Sequence, residues 1–148
     1  MNVAVLRLER EEEAEIWARE RLGLLTAPDF FRTVSLVDSS GQFKVVVVLT
    51  NFTSRNVDLN VAVDAPVPPR GAMKLFNETF SFIFDSLKLV RATGLVQGKN
   101  DAAKAFIQGM GFQLEGVMRK AFPDDDLFIY ALLEEQYRSH PWYRRRST

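Results

Sequence analysis

The sequence predicts a single α/β domain on a mixed β-sheet, and three observations carry that expectation. Val57, Leu59, Val61 and Val63 alternate with Asp58, Asn60, Ala62 and Asp64, the two-residue period of a strand. After Pro66, Pro68 and Pro69 the period changes, and Phe76, Phe80, Ile83, Phe84 and Leu87 recur at helical intervals in a helix expected from Gly71 to about Leu87. Arg91 to Gln97 then reads as a strand again. A helix that connects two strands of one sheet makes them parallel, so the Val57 and Arg91 strands are expected to run side by side in the same direction.

The remaining elements follow in chain order. Val3 to Leu8 reads as a first strand, and Glu9 to Leu22 as a helix with Ala14, Trp17, Ala18 and Leu22 on one face. Its opening EREEE run complements the helix macrodipole and is expected on a solvated face. Leu24 to Phe31 connects. Thr33 to Asp38 and Lys44 to Phe52 form a hairpin about the turn Ser39-Ser40-Gly41-Gln42, and the turn at Asn51 to Asn56 leads into the Val57 strand. Asn100 is placed to cap a helix over Asp101 to Met110, and Gly111 to end it in a left-handed conformation, with Phe112 folding back on the last turn. Gln113 to Phe122 and Leu127 to Glu134 close the chain as a second long hairpin. The domain is expected over residues 1–138, with a basic and aromatic tail over 139–148.

Composition narrows the chemistry. The chain has 148 residues, 47% of them apolar, which suits one core and not two. It has no cysteine, so disulfides, thiol nucleophiles and thiolate metal sites are excluded, and a cytoplasmic setting is the default expectation. His140 is the one histidine, which leaves no histidine set for zinc, and no metal is expected. The formal net charge is zero, so no global field attracts nucleic acid or an anionic membrane. The run Arg144 to Arg146 offers local charge only. Val45 to Leu49 is the longest apolar run, far short of the roughly 20 residues a membrane-spanning helix needs. Twelve phenylalanines suggest a homodimer or another protein interface.

The segment NDAAKAFIQGMGFQLEGVMRK, which begins at Asn100, carries the most specific pattern. Asn100, Ala103, Phe106, Gly111, Phe112, Glu115, Gly116 and Arg119 fall at the spacing of an asparagine, a one-faced helix, a GF pair, an EG pair and an arginine. This resembles the C-terminal half of the GNAT acetyltransferases. With Asp126, Tyr130 to Leu133 and Glu135 in the closing hairpin, it is most similar to the ribosomal-protein alanine acetyltransferase branch and to related phage-encoded proteins. Asn100, Gly111 and Phe112 also have ordinary roles as cap, stop and core, and Glu115 and Arg119 would tie the hairpin to its neighbours. The resemblance implies the GNAT fold, a mostly antiparallel mixed sheet of about seven strands flanked by helices.

It also implies an activity, acyl transfer from acetyl-CoA to an amine. That chemistry needs a cradle for pyrophosphate, donors for the thioester oxyanion and proton traffic at the amine and the leaving thiol. The family's Arg-Gly-x-Gly-x-Gly/Ala turn corresponds here to Arg70, Gly71, Ala72, Met73, Lys74 and Leu75; the first two match, and Met73 and Leu75 put side chains where glycine or alanine is usual. Val63 ends the strand whose backbone would meet the cofactor, and Asn100 joins Val63 and residues 70–74 as the cofactor-binding expectation. The family's thiolate-protonating tyrosine falls at Ile107. Asp58, Asn60 and Tyr130 are the catalytic candidates, while His140 is expected to pack or be solvated, and Pro141, Trp142 and Tyr143 to tether the tail. The departures at Met73, Leu75 and Ile107 keep an alternative open: a GNAT-fold protein with reduced catalysis that serves in binding or structure, such as a phage virion or assembly component.

Overall fold

The computed structural model describes residues 2–24, 26–64 and 66–141. Seven strands form one sheet: β1 Val3–Arg7, β2 Arg32–Asp38, β3 Phe43–Thr50, β4 Asn56–Val63, β5 Arg91–Gln97, β6 Gln113–Phe122 and β7 Asp125–Leu133, in the order β1-β2-β3-β4-β5-β7-β6. Every pair is antiparallel except β4 with β5, where the crossover through helix α2 makes them parallel as expected. The helices are α1 Glu11–Leu22, α2 Pro69–Phe80, α3 Asp101–Gly109 and α4 Glu134–Ser139.

The apolar run of β3 needs both faces of the sheet to be covered. Val45, Val47 and Leu49 join the larger core beneath α2 and α3, and Val46 and Val48 the smaller one beneath α1. On β4 the same division sends Val57, Leu59 and Val61 to the α2 side and Ala62 to the α1 side. Asp58 and Asn60 stay half-buried on the latter face.

Several local features differ from the sequence reading. Helix α2 starts at Pro69, two residues before Gly71, because proline suits a first helical position. After Phe80 it widens into a π-helical turn, Ser81–Ser86, and Leu87 N–H donates to the Phe82 carbonyl, five residues back, at 2.9 Å. The extra residue in that turn leaves Leu87 38% exposed while Phe76, Phe80, Ile83 and Phe84 stay inside. These phenylalanines, which suggested an interface, are packed on one another and on Tyr137 and Phe112 within the chain. The acidic run lies at the surface as expected, with Glu9, Glu12 and Glu13 exposed and Glu11 partly covered. Glu11 pairs with Arg32 at 3.0 Å and accepts from Thr33 N–H, and buried Glu15 pairs with Arg19.

The chain beyond Leu133 turns into α4 instead of continuing as strand, and it buries Tyr137 against Phe76, Phe80 and Phe84. The His140 ring then lies 4.6 Å from that of Phe76, so its role is packing. The Trp142 and Tyr143 tether and the Arg144 to Arg146 run lie outside the described residues. Among the described residues, no helix is long and apolar enough to cross a membrane, and no group of acids and histidine is placed to hold a metal.

The end of α3 follows the sequence closely. Asn100 Oδ1 accepts from Ala103 N–H at 3.1 Å, Gly111 has φ of 94°, and Phe112 N–H returns to the Ile107 carbonyl. Phe112, 5% exposed, packs against Phe80, so Phe112→Ala is expected to cost roughly 3–5 kcal/mol, read from urea melts. Glu115 takes a two-pronged contact from Arg91, and those hydrogen bonds, aided by the charge, hold its carboxyl below the usual range. A lowered folded pKa means stability present above the unfolded pKa and lost as pH falls through the folded one. Glu115→Gln should therefore melt earlier than wild type at neutral pH, with the gap closing in strong acid.

Candidate functional site

The site is a gap in the sheet. Pairing of β4 with β5 runs from Asn56↔Arg91 to Leu59↔Gly94 and stops, although β4 continues to Val63 and β5 to Gln97. Beyond Leu59 the two strands follow different partners, β3 on one side and β7 on the other, and they part. The direction of the freed backbone groups follows from the ladder. Asp64 N–H donates to the Lys44 carbonyl at 2.7 Å, which continues the β3–β4 register. By alternation, Ala62 and Asn60 also turn their N–H and C=O groups to β3, so Val61 and Val63 turn theirs into the gap. The backbone groups of Val61 and Val63 are thus left without a strand partner on this side.

On the α1 side, Leu22 and Leu24 close over the gap, and Gln97 Nε2 donates to the Leu22 carbonyl at 2.9 Å, tying α1 across to β5. A narrow slot runs beneath them, lined by Asn60, Val61, Leu95, Val96, Gln97 and Asn100. It shares Leu22, Gln97 and Asn100 with an open cleft of about 350 Å³ at the strand ends, which adds Arg21, Val63 and Lys99. On the same face a second cleft, of about 190 Å³, brings Asn60 together with Thr50, Asn51, Leu24, Thr26, Ala27 and Pro28. A larger concavity, about 600 Å³ between α1 and the β2–β3 turn, holds Trp17, Phe43 and Asp64 and lies away from the slot's lining.

The catalytic candidates do not converge on one point. Asn60 lines the gap from the α1 side. Asp58, two residues earlier, lies where β4 and β5 are still paired, and its carboxylate accepts from Asn51 Nδ2 at 3.0 Å and Asn56 Nδ2 at 3.1 Å. Tyr130, 2% exposed, is on β7 in the α2–α3 core, where its hydroxyl accepts from Gln108 Nε2 at 3.3 Å. It stands opposite Gly94, whose missing Cβ leaves room for Ile107. Ile107, at the family's tyrosine position, is only 1% exposed and serves the core.

The 70–75 segment is also differently disposed than its sequence suggested. Pro68 is the N-cap and Pro69 the first helical residue, so Arg70 and Gly71 fall within the first turn. A helix start ordinarily offers up to four free amides. Here the two prolines have none, Ala72 N–H is already bonded to the Pro68 carbonyl, and only those of Arg70 and Gly71 remain. Gly71 is buried against the sheet: a Cβ there would come within 2.9 Å of Val3 Cγ2 and 3.1 Å of Leu36 Cδ2. Leu75 is fully buried in the core, so it does not stand over a phosphate as the sequence implied; half-buried Met73 and exposed Lys74 are the side chains left near the surface. Gly71 thus has a packing reason to be glycine, and Gly71→Ala should destabilise by about 1–3 kcal/mol in denaturant melts whether or not a ligand is present.

Arg21 and Gln97 were not singled out from the sequence. Each is an ordinary polar residue at the end of its element, and nothing local signals that the ends of α1 and β5 meet.

No protein-family model matches the chain, and no curated protein matches it by sequence. Solved structures do. The spermidine N-acetyltransferase of Vibrio cholerae, a dodecamer in an intermediate state, matches with a TM-score of 0.69 at 17% identity over 93% of this chain and 98% of that one. The Vibrio cholerae enzyme in complex with CoA and spermine gives 0.66 at 17% identity over 91% and 97%. A GNAT-family acetyltransferase from Bacillus anthracis gives 0.56 at 19% identity over 70% and 66%. At such identity the backbone architecture is what is shared, and with the seven-stranded sheet parted between β4 and β5 it establishes that this chain has the GNAT acetyltransferase fold.

Proposed function

We propose that the protein is an acyl-CoA-dependent N-acyltransferase that moves an acetyl group from acetyl-CoA to an amine. The observation that carries this reading is the parting of β4 from β5, which turns the backbone of Val61 and Val63 into a gap reached from an open cleft. The thioester arm would enter along that gap, with the amide of Val61 or Val63 donating to the carbonyl oxygen as it gains charge. The amine nitrogen would bond to the carbonyl carbon as the carbon–sulfur bond breaks, and the ammonium formed must lose a proton while the thiolate takes one. Asn60 is placed to orient the amine from the α1 side. Asp58, already held by two asparagine amides, would act on the amine's proton through an intervening water. With Ile107 in the tyrosine position, Tyr130, one of the hydroxyls on that side of the sheet, would protonate the thiolate. Asn100 and the 70–74 turn would flank the cofactor.

A second reading is favoured by the two prolines at the start of α2: a GNAT-fold protein with reduced catalysis, used for binding or assembly, as in a phage particle. The helix end that would cradle pyrophosphate has lost half its usual amides. The narrower kinship with ribosomal-protein alanine acetyltransferases and phage-encoded relatives rests on the spacing from Asn100 to Glu135.

Thermal melts with acetyl-CoA separate the two. A ligand that binds only the folded state raises the melting temperature as its concentration passes the dissociation constant. Wild type should show that rise, Arg70→Ala a smaller one, and Met73→Gly a larger one relative to its own unliganded melt. No rise at millimolar acetyl-CoA or CoA in wild type, with a gain only in Met73→Gly, would leave the binding or structural reading in place.

A further inference from the structure

The open cleft at the ends of β4 and β5 carries one sign of charge. Its lining residues include Arg21 and Lys99 together with Ala62, Val63, Gln97 and Asn100, and no acid; Arg21 also borders the concavity that holds Glu13, Glu20 and Asp64. Neither cation is in a salt bridge among the described residues, although the Asp125 carboxylate is near enough to Lys99 for their charges to attract. Arg21 is stacked on Trp17, its guanidinium carbon 3.9 Å from the ring centroid, which fixes the plane and leaves its N–H edges open to a second partner. Lys99 is placed by its backbone, because its N–H donates to Asp125 Oδ2 at 2.9 Å. The other oxygen of that carboxylate accepts from Asp126 N–H. Arg7, Arg10, Arg19, Arg32, Arg91 and Arg138 are each matched to a carboxylate, whereas Arg55, Arg70 and Arg119, like Arg21, are in no salt bridge among the described residues.

A cleft lined by cations without acids concentrates anions. This one opens at Val63 and leads, through shared Leu22, Gln97 and Asn100, into the mostly apolar slot between the strands. The slot itself is tight, about 30 Å³, so the part that fits a ligand is the cleft, and what it fits is a strongly anionic group. At the start of α2 the amides are reduced to those of Arg70 and Gly71, and the latter is packed against Val3 and Leu36.

We infer that the diphosphate of the acyl donor is held by Arg21 and Lys99, at the ends of α1 and β5, in place of a cradle at the start of α2. This rests on the acyl-CoA reading for the identity of the ligand, and on the cleft itself for the anion site. Guanidinium and ammonium groups bind phosphate oxygens through charge-assisted hydrogen bonds, and the stacked guanidinium can take two oxygens at once.

Calorimetric titration of CoA, pantetheine and inorganic pyrophosphate tests it on wild type, on Arg21→Gln/Lys99→Gln and on Arg70→Gln, each first shown to melt cooperatively. Pantetheine has the arm and lacks the diphosphate. The double variant should lose roughly tenfold or more in affinity for CoA and pyrophosphate, the loss expected for charged hydrogen bonds, and keep that for pantetheine. Arg70→Gln should lose clearly less affinity for CoA than the double variant. Unaltered CoA binding in the double variant, with the loss appearing in Arg70→Gln, would return the diphosphate to α2 and overturn the inference while the acyl-CoA reading stands. If wild type binds neither CoA nor pantetheine, yet binds pyrophosphate through Arg21 and Lys99, the acyl-CoA reading fails and the anion site remains. Absence of all three ligands would remove both.

Discussion

The structure depends on a place where hydrogen bonding stops. A parallel pair can continue only while both strands keep a common twist and separation, and β4 and β5 keep theirs to Leu59 and Gly94. Past that point β4 stays with β3 to Val63, while β5 stays with β7 to Gln97, so each strand is fully committed on its outer side. The gap is therefore rigid by construction. Its walls are the inner edges of two well-paired half-sheets, and the backbone groups it exposes at Val61 and Val63 are held in fixed directions without any side chain to position them.

The two faces of the sheet then treat the gap differently. On the α2–α3 side the aromatic cluster of Phe76, Phe80, Phe84, Phe112 and Tyr137 fills the space, and Gly94 allows Ile107 to approach the sheet closely. This face supplies stiffness. On the α1 side the contacts are lighter: Leu22 and Leu24 lie over the gap, and one side-chain hydrogen bond from Gln97 secures the end of α1. The clefts open on this face, next to Asn60, Arg21 and Lys99. A donor arriving along the strand ends and an acceptor arriving beside α1 would thus meet at the same backbone amides.

Glycine and proline in the 68–71 segment show how one motif can keep its letters and change its work. Arg70 and Gly71 match a phosphate-binding turn, yet the two preceding prolines remove amides and Gly71 lets α2 settle onto Val3 and Leu36. Under the inference drawn above, Arg21 and Lys99 in the neighbouring cleft would supply the electrostatic attraction that such a turn normally provides.

What the sequence determined by itself was the set of elements and their direction. The alternation on β4, the helical phenylalanines and the Asn100, Gly111 and Phe112 signals at α3 are local, because caps, stops and periodic burial act over a few residues. The crossover rule then made β4 and β5 parallel, and the GF and EG spacing pointed to the fold. The tertiary structure decided what depends on residues far apart in the chain. It ended the β4–β5 ladder at Leu59, buried Leu75, widened α2 into a π turn and carried the chain past Leu133 into α4. It also brought Arg21 to Lys99 across 78 positions. No period or motif encodes that meeting, because it follows from how a helix end on one face lies against a strand end reached through the other.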